Sequence, residues 1–207
     1  MLTFSVRSAP VRASRRLVIT GSAFVACVAI ASLSACKDFT SVNASFDNVT
    51  DSLDFYPING SPPGTATAIS LFTGVRSRAN ETFAYDIAFD IDANGRVVVI
   101  PVRALASGLA SPVSVGLQVV PGTTFNALDQ APKAGYVADS TVTVGIGAVV
   151  AIESHDFNTC QFAIKGQSFF SKLVVTAIDA TNRKISTVIE VNRNCGFRSF
   201  APGRPKD

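Results

Sequence analysis

Residues 82–92, TFAYDIAFDID, are the stretch that decides the fold. Large apolar side chains occupy every second position of this stretch and alternate with small or acidic ones. A period of two residues is typical of a half-buried antiparallel strand, because successive side chains point to opposite faces of a sheet. Asn94 and Gly95 follow, and this pair tolerates the positive φ that tight hairpin turns require. We therefore predict a β-hairpin whose second strand runs from Arg96 to Val102.

Short apolar runs separated by turn residues continue on both sides of this hairpin. A second hairpin is predicted where two apolar runs flank residues 179–183. Residues 142–152 keep one apolar phase for eleven residues and predict one strand, which the two glycines on its opposite face could bend. Further strands are predicted at residues 53–58, 66–72 and 113–119. This pattern, without a long amphipathic helix, predicts an all-β antiparallel β-sandwich, immunoglobulin-like or similar, with a small β-barrel as the alternative.

Residues 1–35 have a different character from the rest of the chain. The first sixteen residues contain four arginines and no acidic residue, and no charged residue occurs from there to residue 35. A basic start, an apolar middle and small residues at the end are typical of a secretory signal peptide. The apolar run is also long enough for a membrane span, but its small residues favour cleavage. We predict a signal peptide over residues 1–35.

The end of this segment reads Leu33-Ser34-Ala35-Cys36. These four residues resemble the lipobox of bacterial lipoproteins, and the resemblance covers only the first 36 residues of the chain. It implies that diacylglycerol is attached to the Cys36 thiol, that the chain is cut before this residue, and that the lipid anchors the protein in a membrane. Lys37 stands where lipoproteins kept in the inner membrane often have Asp, which implies the outer membrane. An ordinary signal peptide followed by a chance cysteine is the alternative, and the Sec or twin-arginine export route stays open.

Cleavage before Cys36 changes the charge balance of the protein. It removes four of the eighteen basic residues and none of the fifteen acidic ones, which leaves a formal charge of −1. A basic protein attracted to nucleic acid is therefore not what remains, and no nucleic-acid partner is expected. The remaining 172 residues suffice for one domain. We predict a polar tether over residues 36–52 and a β-sandwich domain over residues 53–207.

The cysteines indicate one disulfide bond. Cys27 leaves with the signal peptide, and the lipid occupies Cys36. Cys160 and Cys195 remain in a chain that is exported to an oxidising compartment, where a pair of cysteines typically forms a disulfide.

Acidic residues around the first hairpin form a weak candidate cation site. Asp86, Asp90 and Asp92 share one face of the predicted strand, and Asp90 begins a sequence similar to the first half of a calcium-binding loop. The twelfth position of such a loop requires Glu, but Pro101 stands there. The chain has a single histidine and no spare cysteine for zinc. No metal or other cofactor is expected.

The sequence contains no recognisable catalytic motif. His155 lies between Ser154 and Asp156, but a catalytic triad needs side chains that converge from different segments of the chain. We favour a non-enzymatic binding or structural module that is displayed from the membrane to an envelope protein or polymer. The alternative is a small-ligand carrier or hydrolase with a site of dispersed residues, for which the candidates are Asp86, Asp90, Asp92, Glu153, His155 and Asp156.

The end of the chain is locally basic. Arg193, Arg198, Arg204 and Lys206 lie in an irregular segment with proline and glycine. We predict a solvated tail, with contact to anionic lipid head groups or an acidic partner as the alternative.

Overall fold

The computed structural model describes residues 42–79, 83–106 and 113–206, which fold as one compact unit of two antiparallel sheets. The sheets pack against each other without closing into a barrel, so the predicted β-sandwich is confirmed. The predicted signal peptide and Cys36 lie outside the described residues. Within the described ranges, no helix has the length and apolarity needed to cross a membrane.

The secondary structure of the described ranges is almost entirely strand. Two helical turns, α1 (Val102–Leu105) and α2 (Phe157–Cys160), and a 3₁₀ turn, Phe125–Ala127, interrupt it. The strands are β1 (Val49–Phe55), β2 (Ala68–Ile69), β3 (Arg76–Ser77), β4 (Ile87–Ile91), β5 (Val97–Pro101), β6 (Val113–Val120), β7 (Val137–Ala138), β8 (Val142–Val144), β9 (Val149–Asp156), β10 (Ser168–Asp179) and β11 (Lys184–Asn192).

The strands are divided between a six-stranded and a five-stranded sheet. The six-stranded sheet has the order β1-β11-β10-β9-β6-β7, and the five-stranded sheet has the order β3-β2-β4-β5-β8. All neighbouring strands run antiparallel. Residues from both sheets meet in a common apolar core, where the rings of Phe55 and Phe89 stack with their centroids 4.4 Å apart. Side chains therefore fill most of the space between the sheets, and a cavity of about 70 Å³ remains between Leu53 and Ile189 of one sheet and Ile69 of the other.

The first hairpin is confirmed, but its first strand is shorter than predicted. The Asp92 and Arg96 backbones are hydrogen-bonded across the turn, and Gly95 has a φ of +76°. Strand β4 begins only at Ile87, since the backbone bends at Asp86 and the Asp86 side chain turns inward. Ile87 and Phe89 face the core between the sheets, as the alternation predicted.

The second hairpin is also confirmed, because β10 and β11 pair on either side of residues 179–183. Residues 142–152, by contrast, do not form one strand. The chain turns at residues 145–148, where Gly147 has a φ of +82°, and passes from β8 in the five-stranded sheet to β9 in the six-stranded sheet. Both strands direct every second side chain into the same core. The apolar alternation therefore continues across the turn, and the two strands resemble one in the sequence.

The first strand begins before residue 52, the predicted boundary between tether and domain. Residues 49–52 belong to β1, which pairs with β11 over seven residues from Val49 to Phe55. Asp and Ser in this strand have low intrinsic strand propensity, but pairing with a central strand overrides such preferences. The first strand therefore begins four residues earlier than predicted.

Candidate functional site

Four strands of the six-stranded sheet bring chain segments together at one end, which we call the disulfide end. β9 ends there at Asp156 and β10 begins there at Ser168. β11 ends at the same side at Asn192, opposite the start of β1 at Val49. The connection between β9 and β10, the segment before β1 and the segment after β11 consequently lie close to one another.

Asp156 turns the chain from β9 into the short helix α2. Its carboxylate accepts hydrogen bonds from the backbone nitrogens of Asn158 (2.9 Å) and Thr159 (3.2 Å). This is an N-cap, which satisfies amides that the first turn of a helix leaves without an intrahelical partner. The turn places Cys160, the last residue of α2, in the apolar core.

Cys160 forms the predicted disulfide bond with Cys195, and the two Cα atoms are 5.7 Å apart. The bond joins the end of α2 to the segment that follows β11. It thus fastens the connection between β9 and β10, residues 161–167, to the rest of the disulfide end.

Besides the disulfide bond, a close contact between two backbone segments also holds the connection between β9 and β10. Gly196 has a φ of +80°, and a Cβ atom on it would lie 2.5 Å from the carbonyl carbon of Lys165 and 2.8 Å from the nitrogen of Gly166. Only glycine fits without displacing the connection. The Nζ of Lys165 also lies 4.0 Å from the centroid of the Phe197 ring. Residues 161–167 are therefore presented in a fixed conformation.

Two apolar side chains of this connection point into solvent. Phe162 is 89 % exposed and Ile164 is 86 % exposed. Ala163 between them packs against the core. Exposed apolar residues are common singly, but two large ones on one short connection form a feature of the surface that folding alone does not explain.

A groove of about 200 Å³ lies beside these side chains. Its walls include Val42 and Phe46 from the segment before β1, and Ile164 and Lys165 from the connection. Arg193 also lines it, with its guanidinium carbon 5.6 Å from the centroid of the Phe46 ring. We call the exposed residues Phe46, Phe162 and Ile164, with the basic residues Lys165 and Arg193, the apolar rim.

Asn194 fixes the segment before β1 at this groove. Its side-chain oxygen accepts hydrogen bonds from the backbone nitrogens of Ser45 (2.7 Å) and Phe46 (2.9 Å), and its Nδ2 donates to the Phe46 carbonyl (2.8 Å). Asn192 buttresses Asn194 through a 2.9 Å side-chain hydrogen bond. The polar composition of residues 42–48 suggested a free tether, whereas this segment is bonded to the domain from Ser45 onward.

A second concave region, the Lys172 cleft, has a volume of about 420 Å³ and lies on the outer face of the same sheet. Lys172 is 3 % exposed, and its Nζ is 3.0 Å from a Glu190 carboxylate oxygen. The same Nζ donates to the carbonyls of Phe125 (2.8 Å) and Leu128 (3.0 Å). An ammonium group has three donors, so these partners use all of them. Lys172 and Glu190 therefore stabilise the fold, and Lys172 has no donor left for a ligand.

The three aspartates of the weak candidate cation site each have other partners. Asp86 is buried and accepts a 2.5 Å hydrogen bond from the Leu71 nitrogen, Asp90 accepts from the Asn59 side chain, and Asp92 accepts from Arg96. Burial raises the pKa of Asp86 to about 6, and the nearby charge of Asp156 adds to this effect. No three His, Cys, Asp or Glu side chains in the described ranges are grouped so that they could hold a metal ion.

The residues named for a dispersed catalytic site do not converge. Glu153 and His155 alternate along β9 with Ile152, which faces the core, so they lie on the outer face of the sheet. The carboxylate of Asp156 is engaged as the cap of α2. None of the six residues lines the groove at the disulfide end or the Lys172 cleft.

The basic tail is irregular as predicted, but it is not a free solvated segment. Phe197 and Phe200 are buried, and the Phe200 nitrogen donates to the Asp129 carbonyl. Arg198 donates to the Ala131 carbonyl, and the Asn48 nitrogen donates to the Gly203 carbonyl. Buried aromatic side chains thus keep the tail on the sheet despite its charge.

Little in the sequence indicated the apolar rim. Phe162 and Ile164 lie two and four residues after the predicted disulfide residue Cys160, and apolar residues in such a position are ordinarily expected to be buried. The one signal is Gly166, two residues after Ile164, which indicates an irregular connection and not a strand.

Comparisons with known proteins identify no relative. No protein-family description matches this chain, and no curated protein or solved structure is detectably similar to it.

Proposed function

We propose that this chain is an envelope lipoprotein, anchored through lipid on Cys36, whose β-sandwich is a non-enzymatic binding or structural module. The observation that carries the proposal is the sequence Leu33-Ser34-Ala35-Cys36 at the end of a basic and apolar leader. Glu153 and His155, two of the residues that would serve the alternative of a hydrolase or small-ligand carrier, lie on the outer face of the six-stranded sheet. None of the six candidates lines the groove at the disulfide end or the Lys172 cleft. Without a pocket that gathers them, a binding or structural role is the better supported of the two.

Mass spectrometry of the mature amino terminus tests the anchor. We expect an acylated Cys36 as the first residue and no peptide from residues 1–35. The variant Cys36→Ser should accumulate as the uncleaved precursor, whereas Cys27→Ser, a cysteine inside the leader, should mature normally. An unmodified amino terminus at another position would refute the proposal.

Fractionation of cells with two membranes tests the location. The protein is expected in the outer membrane, and Lys37→Asp should shift it to the inner membrane. Lys37→Arg, which keeps the positive charge, serves as the matched control and should leave the location unchanged. Equal distributions of the Asp and Arg variants would contradict the proposed sorting by this position.

A further inference from the structure

We propose that the apolar rim rests on the lipid bilayer, with the side chains of Phe162 and Ile164 inserted at the level of the lipid head groups. This inference rests on the proposed lipid anchor at Cys36. It adds an orientation: the disulfide end faces the membrane, and the opposite end, with the β10–β11 turn, faces away from it.

The length of chain between the anchor and the domain brings the rim to the membrane. Six residues lead from Cys36 to Val42, and a fully extended chain of that length reaches about 22 Å at most. Val42 lines the same groove as Ile164. Because Asn194 fixes Ser45 and Phe46, the domain cannot gain reach by releasing residues 45–52 without breaking these hydrogen bonds. The groove is consequently the part of the domain held nearest to the lipid.

The shape of the rim suits an interface with lipid. Phe162 and Ile164 project from the surface. A layer of lipid head groups can surround such side chains, whereas a protein partner would need a complementary pocket to cover them. The disulfide bond and the close approach of Gly196 already fix residues 161–167, so little conformational freedom is lost on insertion. Aromatic and aliphatic side chains beside basic residues are typical of segments that lie in a membrane interface.

The charge of the rim is complementary to a bacterial membrane. Lys165 and Arg193 line the groove together with Phe46 and Ile164. Anionic lipid head groups attract such basic residues near a membrane surface. We therefore assign the rim to the bilayer, and a protein partner at this surface becomes an outcome of the test.

Fluorescence of a single introduced tryptophan tests this orientation, because the natural chain contains no tryptophan. The full-length lipidated variant Phe162→Trp is reconstituted into vesicles of phosphatidylethanolamine and phosphatidylglycerol, with or without bromine atoms on the acyl chains. Ile146→Trp is the matched control: Ile146 is also apolar, 62 % exposed and in a turn, but it lies at the opposite end of β9. We expect bromine quenching roughly fivefold stronger at position 162 than at position 146, with emission shifted to shorter wavelength.

The outcomes separate this inference from the proposed function. Acylated, vesicle-bound protein in which both positions are equally unquenched would overturn the docking inference and leave the lipid anchor intact. A rim that meets a protein partner would also give this result, because the vesicles contain lipid alone. Absence of lipid on Cys36 in the same preparation would overturn the proposed function and the docking inference together. The variant Ile164→Trp repeats the measurement at a second position of the rim and should be quenched like Phe162→Trp.

Discussion

The two ends of the six-stranded sheet differ in the range and in the burial of the interactions that hold them. At the β10–β11 turn, the Asp179 carboxylate accepts hydrogen bonds from the nitrogens of Thr181 and Asn182, both at 3.0 Å and within three residues. At the disulfide end, Cys160 pairs with a residue 35 positions away, and Asn194 binds Phe46 across 148 positions. The turn also contacts distant residues, through Arg183 to Asn59 and Lys184 to Asp54, but these contacts are exposed. The interactions of the disulfide end are buried or partly buried. Single substitutions should consequently cost more at the disulfide end.

Lys172→Ala should give the largest effect, because it leaves the Glu190 carboxylate buried without its cation. We expect the free energy of unfolding to fall by about 3–5 kcal/mol. Lys184, whose Nζ lies 3.3 Å from Asp54 near the β10–β11 turn, forms an exposed pair of the same kind. Its removal in Lys184→Ala should cost about 0.2–1 kcal/mol. Denaturation in urea measures both, and equal losses would contradict the contrast between a buried and an exposed ion pair.

Removal of the disulfide bond in a Cys160→Ala, Cys195→Ala double variant should lower the free energy of unfolding by about 3.5–4 kcal/mol, from the entropy of the loop that the bond closes. Hydrogen exchange should show where the protein loosens. The amides of residues 161–167 are expected to exchange faster, while those of residues 179–183 keep their rates. Uniformly faster exchange at both ends would contradict a local role of the bond.

Stability should fall as the pH rises from about 4 to about 6, because of Asp86. Burial raises the pKa of this carboxyl to about 6 in the folded protein, against 3.8 for the free side chain. The folded state therefore binds this proton more tightly than the unfolded state. The resulting stabilisation of about 3 kcal/mol is fully present below pH 4 and is lost as the pH rises through 6. In Asp86→Asn, which keeps an oxygen for the Leu71 nitrogen, the pH dependence in this range should flatten. A slope identical to that of the natural protein would refute the role of Asp86.

Asn194→Ala should remove the hydrogen bonds that hold Ser45 and Phe46, at a cost of about 1–3 kcal/mol because the partners are partly buried. Asn182→Ala at the exposed turn is the matched control, and about 0.5 kcal/mol or less is expected there. Thermal unfolding compares the two variants. If Asn182→Ala proves the more damaging, the difference between the two ends is not one of interaction range.

The same difference explains which features could be predicted from the sequence. Turns at residues 92–95 and 179–183 were predictable because their side chains bond to their own backbone. Cys160 and Cys195 were predictable as a pair because no other cysteine remained after the leader. The turns are determined by residues that are close in sequence, and the disulfide pair follows from the number of cysteines.

Features that depend on distant partners were mispredicted. The late start of β4 depends on Asp86 meeting Leu71, and the assignment of residues 49–52 to a strand depends on β11. The basic tail was expected in solvent, but Phe200 anchors it against Asp129. Nothing local distinguishes these residues from those of a loop, because their partners are 15 to more than 130 positions away.

The register of β1 against β11 also determines how the domain would respond to a pulling force. A lipid anchor before Val49 and a partner holding the β10–β11 turn would pull the two strands in opposite directions along their length. All seven residue pairs, from Val49–Val191 to Phe55–Ile185, would then be strained at once instead of opening one after another. Resistance in that geometry depends on the rate of unfolding and not on the equilibrium stability. The module could in this way transmit tension between a membrane and whatever its far end holds.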